Sequence, residues 1–175
     1  MYHNARNDLP TVSLRDIQSL YTTMSYTLKY DGTMTGTVGY TLGGSSYGGG
    51  ISIGVKVVLA QLADMQPVPN LNKVLANSVT IGGVKFTLFY VEDRNKVSYT
   101  FVANQMTMSF QGNLMEFYKT IFSLSAKEKN YWSAYSLNST DYLSNVMFGI
   151  DVVDATNGVM TVPTYSTIRT LVNAK

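Results

Sequence analysis

The chain has 175 residues, enough for one domain with a sizeable core. Charged residues make up 14% of it and no run of Lys or Arg occurs, which argues against a nucleic-acid stripe or a polybasic membrane anchor. The absence of cysteine excludes a disulfide framework and thiolate chemistry. The polar start "MYHNARNDLP" lacks the apolar core of a signal peptide, so we expect a protein made and kept in the cytosol or in a particle assembled there.

The first third of the chain predicts β-structure after a short helical start. Ser13 and Asp16 resemble an N-cap pair that allows one or two helical turns. Apolar residues then alternate with polar ones over residues 20–30 and again over 34–42. Between these runs lies Asp31-Gly32, the strongest short signal for a β-hairpin, so we predict that the two runs pair with each other.

The segment "GGSSYGGG" at residues 43–50 raises the question of a phosphate-binding loop. Such a loop ends in Lys-Ser/Thr at a helix start, whereas this segment has no lysine and precedes a β-branched run at 51–57. We interpret it as a flexible linker between two strands that becomes ordered on assembly. Tyr47 at its tip would be available to contact a neighbouring subunit.

The middle of the chain predicts a loop followed by antiparallel strands. "QPVPNLNKVLANS" combines Pro and Asn with the apolar residues Leu71, Val74 and Leu75, and we predict an exposed loop there. Alternating runs at 84–90 and 97–101 are separated by "EDRNK", which predicts two paired strands.

The C-terminal third predicts helices and a final strand pair. Apolar residues at helical spacing predict a helix over 114–124, and a second short helix is expected over 139–146. Alternation at 148–152, the turn "ATNG" and the run 159–162 predict a strand and its return. The whole pattern predicts an α+β fold, a largely antiparallel β-sheet with two or three short helices on one face. We expect a flexible N-terminal arm at 1–15 and one domain at 16–175.

Few residues suggest catalysis. His3 is the only histidine, so neither a zinc site nor a Ser-His-acid triad is expected. Asp151 and Asp154 straddle a predicted strand and turn, which favours turn chemistry over a general acid/base pair. The sequon at Asn138 is interpreted as a helix cap. We therefore expect no catalytic residue, no metal, no cofactor and no enzymatic activity; an enzyme or small-ligand module remains the least supported alternative.

Three stretches resemble a known family in the same order along the chain. "NLNKVLANS", "VTIGGVKFTLFYVED" and "LNSTDYLSNVMFGIDVVDATNGVMTVPTYS" resemble the apolar loop, the Ile-Gly-led strand and the closing segment of rhabdovirus matrix proteins, in particular the short proteins of plant-infecting cytorhabdovirus-like members. The closing segment matches through a polar-capped helix, a Met-Phe-Gly-aliphatic strand, a small turn with Gly and a returning apolar strand.

The resemblance implies a non-enzymatic structural protein of the virion. Such a protein would self-associate, condense the helical nucleocapsid by contact with viral nucleoprotein–RNA, and link it to the envelope, in the virion and at membranes of the host cytoplasm. The family's apolar loop docks on a neighbouring subunit, which implies self-association through Leu71, Val74 and Leu75.

The membrane and nucleocapsid contacts implied by the resemblance depend on few cations. The family's Lys-rich tail and Pro-Pro-x-Tyr motif are absent here, and the N-terminus offers only Arg6 and Arg15. We therefore expect weak membrane contact through Lys127 and Lys129 on the folded surface. A phage tail-tube or another self-assembling virion subunit is the alternative, since it shares the low charge, the Thr/Tyr-rich strands and a Gly-rich loop.

Overall fold

The computed structural model describes residues 2–4, 12–45, 52–63, 73–93, 96–127, 139–155 and 157–172. Eleven strands and one α-helix follow one another in this part of the chain, with a single 3-10 turn at Leu14–Asp16. In chain order they are β1 (Tyr2–Asn4), β2 (Val12–Ser13), β3 (Ile17–Tyr30), β4 (Met34–Ser45), β5 (Ser52–Leu62), β6 (Lys73–Ile81), β7 (Val84–Asp93), β8 (Lys96–Ala103), β9 (Ser109–Asn113), α1 (Met115–Lys127), β10 (Tyr142–Ala155) and β11 (Gly158–Leu171).

The strands form two sheets. The large sheet has the order β1-β10-β4-β5-β8-β7-β6, with β2 also paired to β10, and the small sheet has the order β11-β3-β9. All pairs are antiparallel except β5 with β8. The described part of the chain is therefore a β-sandwich rather than a single sheet with helices on it.

The core lies between the two sheets, because alternate residues of each strand face it. Along β4, Val38, Tyr40 and Leu42 are buried on this side. The ring of Phe148 on β10 lies 5.1 Å from the ring of Tyr40 and 6.0 Å from that of Tyr26 on β3. Aromatic side chains thus join the large sheet to the small one.

The helix α1 covers the part of the large sheet beside the small sheet. Its Phe117 ring lies 4.8 Å from the ring of Phe101 on β8 and 5.3 Å from that of Phe86 on β7. The Oδ1 atom of Asn113 accepts hydrogen bonds from the backbone N–H groups of Leu20 and Met115, which ties the start of the helix to β3. No helix in the described residues is long and apolar enough to cross a membrane.

The prediction that the two alternating runs on either side of Asp31-Gly32 pair with each other is wrong. Both alternating runs are strands, but β3 lies in the small sheet and β4 in the large one. β10 and β11 are likewise consecutive and also lie in different sheets. The Asp31 N–H donates to the Asn157 carbonyl at 3.2 Å, so the two crossings lie side by side. A turn signal reverses the chain direction without deciding whether the strands pair or pack face to face.

The predicted α+β class is also wrong, because the fold is a β-sandwich with one α-helix in the described residues. The helix expected over 114–124 is present as α1, whereas residues 142–146 of the second expected helix belong to strand β10. Of the expected apolar loop, residues 73–78 lie in β6. The predicted pairing of the runs at 84–90 and 97–101 is confirmed as β7 with β8.

The predicted division of the chain at residues 15 and 16 stays a prediction. Two short strands, β1 and β2, lie within the first 15 residues, and both pair with β10. The Ser13 hydroxyl also donates to the carbonyl of Ser139 at 3.0 Å.

Two glycines of the large sheet offer a matched test of the packing. A Cβ on Gly39 would lie 1.8 Å from the backbone oxygen of Val57, whereas a Cβ on Gly54 would meet nothing within 4 Å. We expect Gly39→Ala to destabilise the fold by about 2 kcal/mol, or roughly 4–8 °C in Tm. Gly54→Ala should leave Tm unchanged or raise it, because Ala is less flexible than Gly in the unfolded chain. Equal melting temperatures for the two variants would contradict this packing.

Buried tyrosines should make the fold sensitive to alkali. Burial raises the pKa of Tyr26 from 10.0 to about 12, and it also raises the pKa of Tyr118. The unfolded chain then loses these protons first, so stability is complete below pH 10 and falls as the pH rises towards 12. Thermal unfolding between pH 8 and pH 11.5 measures this fall.

Tyrosine-to-phenylalanine variants separate the contributions that the Tyr26 and Tyr118 hydroxyl groups make to stability. The Tyr118 hydroxyl is buried without a hydrogen-bond partner, so Tyr118→Phe should keep or raise Tm at pH 7 and flatten the alkaline fall. The Tyr26 hydroxyl donates to the Thr107 carbonyl at 2.9 Å, so Tyr26→Phe should lose about 1 kcal/mol at pH 7. A larger loss for Tyr118→Phe than for Tyr26→Phe would contradict the assignment.

Candidate functional site

A cleft of about 570 Å³ lies on the face of the large sheet that points away from the small sheet. It crosses four neighbouring strands, β10, β4, β5 and β8. Its outward-facing lining residues are small, polar or flexible: Thr37, Gly39, Thr41, Gly54, Lys56, Ser98, Met147, Gly149 and Asp151. These positions alternate with core residues, so the same period of two that builds the core also builds the cleft.

The middle of the cleft floor is nearly bare backbone. Gly149 of β10 and Gly39 of β4 are direct partners across the two strands. The register of β4 shifts against β5 between Val38 and Gly39, and at this irregularity the Gly39 Cα approaches the backbone of Val57. Only glycine fits there, because the Val57 carbonyl group fills the place that a Cβ would take, so the floor presents backbone and no side chain at this position.

One ion pair spans this bare floor. The Nζ atom of Lys56 on β5 donates to Oδ2 of Asp151 on β10 at 3.3 Å. Lys56 pairs with Thr41 and Thr41 with Met147, so the lysine side chain reaches diagonally across β4 to a residue four positions further along β10. The side chain of Lys56 is 30% exposed and that of Asp151 is 52% exposed, which leaves both groups open to a ligand.

Tyr40 lies in the strand that forms the cleft floor, and its side chain packs in the core on the other side of the sheet. Tyr40 is buried, and its hydroxyl lies 3.1 Å from Oγ1 of Thr22 on β3. Burial raises the pKa of Tyr40 well above its usual range, against a smaller lowering effect of the Thr22 hydrogen bond. Tyr40 is therefore a neutral support of the cleft, facing the opposite sheet.

Asp151 is the functional candidate that sequence reasoning placed wrongly. It was expected in turn chemistry with Asp154, but it lies inside β10 and lines the cleft. Asp154 lies beyond a register shift of β10, is exposed, and does not line the cleft. The sequence does carry a signal for the cleft, since Gly, Thr and Lys occur at alternate positions of its strands. These positions can be recognised as one site only when the order of the strands in the sheet is known.

Two of the four predicted self-association residues lie in the described part of the chain. Val74 lies on β6 and is 44% exposed, and its neighbour Leu75 is half-buried against the core. Leu71 and Tyr47 lie outside the described residues. None of the described ones lines the cleft, and their role in self-association stays a prediction.

Of the four predicted cationic contacts, Arg15 and Lys127 lie in the described residues. Arg15 is exposed on the 3-10 turn, with its Nε 3.7 Å from Oδ1 of the adjacent Asp16. Lys127 is the last residue of α1, and Arg6 and Lys129 lie outside the described residues. Their contact role is likewise untested.

Other sites in the described residues offer less chemistry. A second cleft of about 510 Å³ is lined by Lys85, Asn104 and Gln105 among others, and no carboxylate faces it there. No group of three His, Cys, Asp or Glu residues in this part of the chain could hold a metal ion.

The chain is similar in sequence to glycoside hydrolases. No protein-family model matches it. It is 27% identical over 166 residues to "Inactive glycoside hydrolase XLP1" of Phytophthora nicotianae, which covers 94% of this chain and 65% of that protein. It is 27% identical to xyloglucan-specific endo-beta-1,4-glucanase A of Emericella nidulans and 29% identical to xyloglucan-specific endo-beta-1,4-glucanase 1 of Phytophthora sojae, each over 167 residues and 94% of this chain. The chain spans 64–65% of the length of these relatives.

Solved structures share its fold. Endoglucanase 3 of Trichoderma harzianum, described as a member of family GH12, superimposes with a TM-score of 0.72 at 21% identity, covering 93% of this chain and 67% of that chain. The family 12 xyloglucanase of Bacillus licheniformis superimposes with a TM-score of 0.67 at 19% identity, covering 95% and 68%. The fold is therefore the jelly-roll-like β-sandwich of these proteins.

These findings overturn the functional expectations. The resemblance to rhabdovirus matrix proteins is wrong, because the similar proteins are glycoside hydrolases. The virion function, the nucleoprotein–RNA, membrane and self-assembly partners, the location in virion and host cytoplasm, and the tail-tube alternative are wrong for the same reason. The expectation that the chain belongs to a non-enzymatic structural class of protein is also wrong, since the named relatives are glycoside hydrolases, most of them endoglucanases. It had relied on the missing histidines and cysteines, which carboxylate chemistry does not need.

The cleft ion pair should matter little for stability. Both side chains are partly exposed, and exposed pairs typically contribute about 0–1 kcal/mol. We expect Lys56→Met and Asp151→Asn to shift Tm by no more than ~3 °C, with a smaller shift at high salt. Thermal unfolding in low and high salt measures this. A salt-independent loss of more than ~3 kcal/mol would mean that the pair holds β5 to β10 and is structural.

Proposed function

We propose that the protein belongs to family 12 of the glycoside hydrolases and binds a β-1,4-linked glucan chain of the xyloglucan kind in its cleft. The observation that carries the proposal is the position of the cleft on the outer face of β10, β4, β5 and β8, in a sandwich shared with endoglucanases. Four strands span about 14 Å across the sheet, which suits several sugar rings laid over the strands.

The chemistry of the lining supports an uncharged polyhydroxyl ligand. The hydroxyl groups of the half-buried Thr41 and Ser98 can donate to and accept from sugar hydroxyls. The bare floor at Gly39 and Gly149 lets a flat ring approach the backbone, and Met147 offers an adaptable apolar contact to its C–H face. Lys56 and Asp151 together carry no net charge, so the cleft does not favour an anionic or cationic polymer.

The relatives include both active and inactive glycoside hydrolases. Two of those described above are xyloglucan-specific endoglucanases and one is an inactive glycoside hydrolase. An active and an inactive hydrolase could both bind a glucan. Glucan binding, with or without cleavage, is therefore the function that we propose.

Blocking the cleft at Gly54 tests this function. A side chain there meets no neighbour within 4 Å, so Gly54→Leu should fold normally and project into the cleft. We expect the wild-type chain to bind a xyloglucan oligosaccharide in calorimetry, and Gly54→Leu to weaken this binding at least about tenfold, or 1.4 kcal/mol. Lys85→Leu in the second cleft is the matched control and should bind as the wild type does.

Two results would count against the proposal. One is a folded wild-type chain that does not bind xyloglucan or cellulose-derived oligosaccharides at millimolar concentration. The other is equal binding by Gly54→Leu and the wild type, which would place the ligand elsewhere.

A further inference from the structure

We propose that the Lys56–Asp151 pair makes the cleft a holding site, which orients a bound glucan and does not cleave it. The inference depends on the proposed function, because it concerns what happens to the glucan after binding. Its basis is the set of described groups that surround the ion pair of the cleft.

Hydrolysis of a glycosidic bond ordinarily requires two carboxyl groups. They flank the bond about 5–5.5 Å apart in retaining enzymes and about 6.5–9.5 Å apart in inverting ones. One protonates the leaving oxygen, and the other acts as nucleophile or activates water. A cleft of this chemistry therefore presents two acidic side chains to the same space.

Among the described residues that line the cleft, Asp151 is the only carboxylate. The positions around it are Thr37 and Thr41 on β4, and Gly54 and Lys56 on β5. Hydroxyl and glycine positions cannot serve as the second carboxyl group. The other charged side chain among these residues is the cation Lys56, whose Nζ lies 3.3 Å from Oδ2 of Asp151.

The five other acidic residues whose side chains the structure describes do not line the cleft: Asp16, Asp31, Glu116, Asp141 and Asp154. Glu116 accepts a hydrogen bond from Lys119 on α1 at 2.8 Å. Asp16 pairs with Arg15 on the 3-10 turn, and Asp31 lies in the turn before β4. Asp154 shares β10 with Asp151 but is exposed beyond the register shift and does not line the cleft. None of these meets Asp151 across the floor.

Some glycosidases use a tyrosine nucleophile, but Tyr40, the one tyrosine among the described residues that line the cleft, cannot take this role. Tyr40 belongs to the strand under the cleft, but its side chain is buried. Its hydroxyl lies against Thr22 of the opposite sheet at 3.1 Å. It therefore cannot reach the anomeric carbon of a ligand on the outer face.

The ion pair itself suits recognition. An ammonium group has three N–H donors and a carboxylate has two acceptor oxygens, so one mutual hydrogen bond leaves capacity on both sides. A glucan over the floor can receive a hydrogen bond from Lys56 and give one to Asp151. Because each group holds the other in place, less side-chain freedom is lost when the ligand binds.

The experiment measures binding and cleavage on the same wild-type preparation. We expect binding of a xyloglucan oligosaccharide in calorimetry and no release of reducing ends above a mock preparation. The cleavage assay covers the whole chain, so an acidic residue from any segment that completed a catalytic pair would register as activity. Cleavage above the mock level overturns the inference and leaves the proposed function standing. Failure to bind overturns the proposed function.

A double-mutant cycle tests the orienting role of the pair. We expect Lys56→Met and Asp151→Asn each to weaken binding about tenfold, and the double variant to lose little more than either single variant. Asp154→Asn is the control on the same strand and should bind normally. Fully additive losses, or unchanged affinity in both single variants, would show that the pair does not act as one unit on the ligand.

Discussion

The packing of Phe148 between Tyr40 and Tyr26 is the contact on which the rest of the structure depends. It joins β10 and β4 of the large sheet to β3 of the small one, with ring centroids 5.1 Å and 6.0 Å apart. Because side chains alternate along a strand, fixing Phe148 inward fixes Gly149 and Met147 outward. A slip of β10 by one residue would carry Asp151 into the core and expose Phe148. The core therefore sets the register of the cleft.

The connections between the sheets add a second constraint. Consecutive strands cross from one sheet to the other at Asp31-Gly32 and near Asn157, and a backbone hydrogen bond of 3.2 Å joins the two crossings. Positive φ angles at Gly32 and Asn157 allow the chain to turn sharply at this end. The face of the large sheet that holds the cleft is consequently free of covering strands from these connections. In the described residues, the small sheet and α1 pack on the opposite face of the large sheet, which leaves the cleft on the other face.

Local patterns predicted the elements but not their arrangement. Alternation located β3, β4, β7 and β8, and helical spacing located α1, since these signals lie within one segment. The pairing of β4 with β10 joins residues 97 to 121 positions apart, which no local turn signal encodes. The same limit explains the wrong family resemblance: a Met-Phe-Gly-aliphatic strand and a small polar turn are features that many β-proteins share. The cleft was missed because Gly39, Lys56 and Asp151 become neighbours only in the folded sheet.

The low charge content has a physical interpretation that differs from self-assembly. A neutral polysaccharide offers hydroxyl groups and C–H faces, and it is bound at short range by hydroxyls, amides and apolar surface rather than by a long-range field. The cleft follows this pattern, because its two charged groups, Lys56 and Asp151, neutralise each other and its other polar groups are hydroxyls. A second carboxylate in place of the lysine would bring catalytic chemistry together with net negative charge. The described floor thus combines a neutral ion pair with hydroxyl groups and exposed backbone, and these are the groups that the proposed glucan ligand would contact.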